Sequence, residues 1–352
     1  MKEKVMFDKI DRNFMQETIK GLMAIDSPSG FCTKAIEYVG GIATKLGHEF
    51  KVTNKGCGVI SVKGAEKGKK VGMAAHVDTL GLMVRSINAN GTLEFTVIGG
   101  VSHTPTLDSE YCRIYTRDGR VYTGTILSKS PSVHVFADAS TRPRNTDNMY
   151  IRIDEVVKTA ADVRKLGIET GDIVAYETKT EILPSGFIKS RFLDDKASVA
   201  CVLAALKAMK DEGLKPRYDT EIFVTTYEEV GHGGAPMGDG LDEMLAVDMG
   251  CIGLDLNCTE YDVSICAKDG GGPYDYEMTT RLVNYAKEGK LDYVVDIYPF
   301  YGSDVGAMYR GGHDVKGALI GPGIHASHGM ERTHINALMQ TVKLILLYLE
   351  AK

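Results

Sequence analysis

The chain of 352 residues is long enough for two domains and a substantial core. Its 43% hydrophobic and 25% charged residues match globular averages, which excludes collagen-like, coiled-coil and long disordered chains. With 41 Lys and Arg against 47 Asp and Glu the net charge is −6, which argues against general nucleic-acid affinity.

The N-terminal stretch carries Glu3, Asp8, Asp11 and Glu17 among its apolar residues, unlike a secretory signal, and no segment reaches the ~18 uninterrupted apolar residues of a membrane span. The periodicity predicts an amphipathic helix over Met6–Ala24, broken by Asp26-Ser27-Pro28-Ser29-Gly30, and a second over Thr33–Lys45. Strands are expected over Val52–Val62 and Lys70–Ala75, the latter ending at His76.

From Leu80 to Leu183 the texture changes to short β-rich segments, such as Leu93–Ile98, Arg113–Tyr115 and Ile173–Tyr176, punctuated by Gly, Asn, Asp and Pro. After Pro184-Ser185-Gly186 helix and strand alternate again. Lys196–Met209 and Ile335–Leu349 read as helices, and Glu221–Thr226, Met244–Met249 and Val315–Ile320 as strands. The expected architecture is one α/β domain, residues 1–79 and 184–352, interrupted by a β domain, residues 80–183.

The seven cysteines are odd in number, scattered and free of CxxC pairs. They read as core thiols of a soluble protein in the reducing cytoplasm.

Acidic and imidazole side chains recur at element ends. His76 and Asp78 follow one strand, Glu228 and Glu229 another, Asp248 ends a third, Asp194-Asp195 precede a helix, and His325 and His328 lie in a Gly-rich stretch. In an open α/β sheet the carboxyl ends of strands share one crevice. Carboxylates gathered there without Lys or Arg repel one another unless a cation intervenes. Mixed imidazole and carboxylate ligation without thiolate suits Zn²⁺, Co²⁺ or Mn²⁺, and a shared carboxylate can bridge two ions. Taken singly, each element also reads as an ordinary cap, core pair or solvated end.

The blocks Ser27-Pro28-Ser29-Gly30, Ala75-His76-Val77-Asp78, Leu80-Gly81-Leu82-Met83-Val84, Asp194-Asp195-Lys196, Glu228-Glu229-Val230-Gly231 and Val247-Asp248, in this order and over nearly the whole chain, resemble the glutamyl aminopeptidase family of dinuclear metallopeptidases, whose tetrahedral (TET) branch is best known. The resemblance implies a catalytic α/β domain with a mostly parallel central sheet flanked by helices and an inserted β-barrel-like domain that mediates oligomer contacts. It implies two divalent ions, zinc or cobalt: His76, Asp194 and Asp248 on one, Asp194, Glu229 and a C-terminal histidine on the other. Glu228 would be the general base, and Asp78 would orient His76.

Two departures stand out. Thr79 replaces the family's Glu, and the C-terminal ligand lacks its Arg-Tyr-x-His-Ser context. His328, followed by Glu331 much as an acidic residue follows the family's histidine, is the preferred ligand and His325 the alternative.

The expected reaction is metal-dependent removal of N-terminal amino acids from short peptides by a homo-oligomer, with dodecamers typical of such families. No nucleic-acid or membrane partner is expected. Lys268, Asp304 and Arg310 are candidate specificity residues, each with an ordinary structural alternative, and Gly231–Gly240 is expected to be a flexible loop. The competing readings are a metal-dependent amidohydrolase or deacylase of other amides, and a catalytically decayed peptide-binding assembly.

Overall fold

The computed structural model describes residues 7–102 and 104–351, so Met6, the expected helix start, lies outside the described residues. The chain divides into two compact units, residues 1–78 with 179–352, and residues 79–178. The return to the first unit therefore comes before residue 184, because Glu181–Ile182 already pairs with Phe187–Ser190.

The first unit is built on a ten-stranded mixed sheet. Four neighbouring strands at its centre, Tyr218–Thr225, Glu66–His76, Glu243–Val247 and Lys316–Ile324, run parallel. Their apolar runs are buried on both faces, as central parallel strands require. The flanks are antiparallel: Gly58–Val62 pairs with Tyr218–Thr225, and Val263–Asp269 pairs with Lys316–Ile324.

The strand expected over Val52–Val62 is a hairpin of Glu49–Val52 and Gly58–Val62. Its reversal places Gly56 at φ +85°, where a side chain would be strained. The Met6–Ala24 periodicity is interrupted, and helix Arg12–Met23 starts afresh where the Asp11 carboxylate caps it, accepting the Phe14 N–H at 2.9 Å. Helix Leu193–Glu212 is buried on every side among helices Arg12–Met23 and Ile335–Tyr348 and the sheet. Lys196 is buried within it, where burial lowers its pKa to about 8, and Nζ donates to the carbonyls of Leu22 and Ile25 at 3.0 and 2.8 Å. A small antiparallel sheet joins Glu181–Ile182, Phe187–Ser190 and Glu331–His334.

The second unit contains a closed barrel of Gly81–Ile87, Leu93–Ile98, Met149–Ile153, Val121–Ser128, Tyr111–Tyr115 and Ile173–Tyr176, in that order around the ring. Alternate residues, among them Leu82, Val84, Leu93, Phe95, Ile114 and Ile151, fill its interior. None of the cysteines is disulfide-bonded, and all but Cys251 are buried. No helix among the described residues is long and apolar enough to cross a membrane.

Candidate metal centre

The four parallel strands deliver the acidic and imidazole residues at their carboxyl ends, the position where an α/β sheet gathers ligands. His76 ends one, Glu228 and Glu229 follow Thr225, Asp248 follows Val247, and His328 lies beyond Ile324. Asp194 and Asp195 precede the regular turns of the buried helix, have non-helical backbone angles and are joined by a cis peptide.

His76 is only 1% exposed. Its Nε2 lies 3.2 Å from Asp194 Oδ1, 3.8 Å from Glu228 Oε2 and 3.9 Å from Asp248 Oδ2. Its Nδ1 sits 3.0 Å from the Asp78 carbonyl and 3.5 Å from the Asp78 carboxylate, so the main chain is the nearer partner of the ring. On the other side, His328 Nε2 is 3.5 Å from Glu229 Oε2 and 3.6 Å from Asp194 Oδ2. Asp194 thus lies between the two imidazoles, one oxygen towards each.

Two overlapping triads, His76 with Asp195 and Asp248, and His76 with Asp194 and Glu229, place ligand atoms within 4.8 Å of one another. The donor set is imidazole nitrogen and carboxylate oxygen, which suits a divalent cation of the zinc, cobalt or manganese kind. Burial pushes Glu228 well above the usual carboxylate range, Glu229 up to about 8 and Asp248 up to about 7. Burial alone would lower His76, but hydrogen bonds to Asp194 and Asp78 outweigh it and raise the ring well above its ordinary value. Asp195 Oδ1 is buried without a hydrogen-bond partner. An excess of buried carboxylate with an orphaned oxygen is the electrostatic signature a bound cation would relieve.

Of the two candidate histidines, only His328 turns to these carboxylates. His325 is exposed and held in a β-bridge, its N–H on Arg332 O at 2.9 Å. Asp78 is fully buried and accepts three hydrogen bonds: from Ser29 Oγ at 2.5 Å, Glu228 N at 3.1 Å and Glu229 N at 3.2 Å. Thr79 is buried with its hydroxyl on Leu80 O.

The loop after Glu229 is tied down at several points. Lys55 donates to His232 O, Arg310 donates to Gly231 O at 3.0 Å, and Gly234 is so close to the Asp304 main chain that a Cβ would collide with it. Asp304 itself is buried and accepts from Thr225 Oγ1 at 2.6 Å, while Lys268 is exposed with Nζ on Asp269 O.

Sequence reasoning passed over three contributors. Asp195 was legible only as half of an Asp doublet, Ser29 only as part of a turn, and Glu331 only as a companion of His328. Glu331 is 2% exposed and accepts the Asp194 N–H on Oε2 and the His328 N–H on Oε1, at 3.0 and 3.1 Å.

The fold is that of the TET aminopeptidases. It superposes on an aminopeptidase from the archaeon Desulfurococcus kamchatkensis with a TM-score of 0.85 and 25% identity, covering 96% of this chain and 95% of that one. The Pyrococcus horikoshii TET1 peptidase, described as assembling into a tetrahedron or a large octahedral shell, matches with a TM-score of 0.82 and 21% identity over 95% and 98% of the two chains. Residues 56–344 match the M42 glutamyl aminopeptidase family model, and the chain belongs to that family. YhfE of Bacillus subtilis (strain 168) is 44% identical over 95% of this chain and 97% of its own length.

Proposed function

We propose that the protein is a metal-dependent aminopeptidase that removes N-terminal residues from short peptides through a two-ion centre. The observation that carries this reading is the meeting of His76, Asp194, Glu229, Asp248 and His328 around one buried carboxylate cluster, with Glu228 beside it. His76, Asp194 and Asp248 would hold one ion, and Asp194, Glu229 and His328 the other, with zinc or cobalt suited to the donors. When bound, such ions supply Lewis acidity towards the scissile carbonyl and lower the pKa of water towards neutrality.

The remaining work falls to the chain. Glu228 Oε2 faces the cluster at 3.8 Å from His76 Nε2, placed to take the proton of the attacking water and return it to the departing amine. Its burial raises its proton affinity, which suits a group that takes a proton from water. Glu229, its sequence neighbour, points to His328 instead, so two adjacent carboxylates take different tasks. Asp78 fixes both main-chain amides and backs His76, acting as a positioning residue.

The barrel unit is proposed to carry contacts of a homo-oligomer, a role supported by the shells formed by the Pyrococcus horikoshii peptidase of the same fold. Cytoplasmic residence is in keeping with seven unpaired thiols. The test is release of free amino acids from mixed short peptides by chelator-stripped protein resupplied with Zn²⁺, Co²⁺ or Mn²⁺. Release confined to N-terminal residues and dependent on metal is expected. Metal-independent turnover, or none with any ion, would overturn the reading.

A further inference from the structure

We propose that Glu331 is a positioning residue that presets Asp194, shared by the two ions, and His328, which serves one of them, by holding both main-chain amides with a single carboxylate. The inference rests on the metallopeptidase reading above. One oxygen accepts the Asp194 N–H at 3.0 Å, the other accepts the His328 N–H at 3.1 Å, and the carboxylate thereby bridges the helix entrance and the C-terminal loop.

Three further features show why a clamp belongs here. His328 has φ +61°, a left-handed conformation that is unfavourable for an L-residue and needs outside support. Asp194 lies in the irregular backbone before the helix settles into regular turns, so helical hydrogen bonding does not fix it. Glu331 opens strand Glu331–His334 and faces Ser190 across the ladder, the strand that leads directly to Asp194. Its own backbone is therefore anchored to one of the segments that its side chain orders. The side chains of Asp194 and His328 approach to 3.6 Å.

Glu331→Gln preserves shape but changes the balance of donors. The amide oxygen can accept one N–H, while the NH₂ group confronts the other. Equilibrium titration of stripped protein with Zn²⁺ against a chromogenic chelator reads the result. Glu331→Gln is expected to weaken the binding step that uses both Asp194 and His328 about 10- to 100-fold and the step that uses Asp194 alone of the two by less. Saturating metal then restores kcat with an unchanged KM for peptide, which a general loss of structure would not allow.

A second measurement needs no variant. Peptide-level hydrogen exchange of the metal-free wild-type protein should show protection over residues 191–195 and 326–330. Wild-type affinity at both steps in Glu331→Gln, or free exchange over those segments in the unsubstituted protein, would overturn the clamp. Wild-type protein that fails to release amino acids with any metal would instead sink the peptidase reading, and the exchange experiment would still report on Glu331.

Discussion

The Asp78 carboxylate accepts the main-chain N–H of Glu228 on Oδ1 and that of Glu229 on Oδ2, at 3.1 and 3.2 Å. One buried acid thereby sets the backbone from which two others project, and Ser29 Oγ donates to it at 2.5 Å. Asp78→Asn offers one oxygen for these three donors and should lower kcat about 10- to 100-fold in steady-state assays. Ser29→Ala removes a single donor and should cost less. Equal losses would show that Ser29 acts elsewhere.

Glu228→Gln keeps the side-chain shape but removes proton transfer. It should bind metal as the wild type does while kcat falls by about 10²–10⁴. Metal content by plasma emission spectroscopy and single-turnover rates check both halves, and full activity would remove Glu228 from the role of base.

His328→Ala should lose one metal-binding step together with activity, whereas His325→Ala should change neither beyond about twofold. The reverse pattern in metal titrations would move the ligand to His325.

Stability of the stripped protein should fall as pH rises from about 4 to about 8. Carboxylates titrate near 4 in an unfolded chain, while burial holds Glu229 at about 8 and Asp248 at about 7 in the folded one. The folded state therefore binds more protons in this window, and raising pH favours unfolding. His76, also raised, acts in the same direction above its ordinary value. Calorimetry at pH 5.5 and 8 should show a lower Tm at pH 8 without metal. Added Zn²⁺ should produce the larger rise at pH 8, because its ligands must be deprotonated.

Iodoacetamide at pH 7.5 should leave activity intact. Burial holds the Cys251 thiol above its ordinary value, and the other six cysteines are buried. Rapid inactivation would indicate a thiol in the chemistry.

The sheet and the meeting of most of the acidic and imidazole side chains at its carboxyl edge were legible because both follow from local pattern. Apolar runs marked the buried central strands, and an acid or imidazole at the end of each marked the crevice. Strand Glu66–His76 begins earlier than expected because its first residues, Glu66 and Lys67 among them, are exposed and carry no hydrophobic signal. The loop expected to be flexible after Glu229 is instead held by Lys55 and Arg310, contacts between residues far apart in sequence. Glu331 escaped for a related reason. Its oxygens meet main-chain N–H groups, which every non-proline residue carries and no motif records. Asp304, weighed as a partner for a substrate amine or as a cap, is buried against Thr225.

The carboxylate and imidazole cluster draws its supports from Ser29 at one extreme and Glu331 at the other. During synthesis the ribosome therefore releases His76, Asp194 and Glu229 long before the segment that holds His328 exists. Strands that line the crevice can pair earlier, but the cluster stays incomplete until the segment holding His328 and Glu331 has been made. Completion of the cluster therefore waits on the docking of segments far apart in sequence rather than on the first pairing of the sheet.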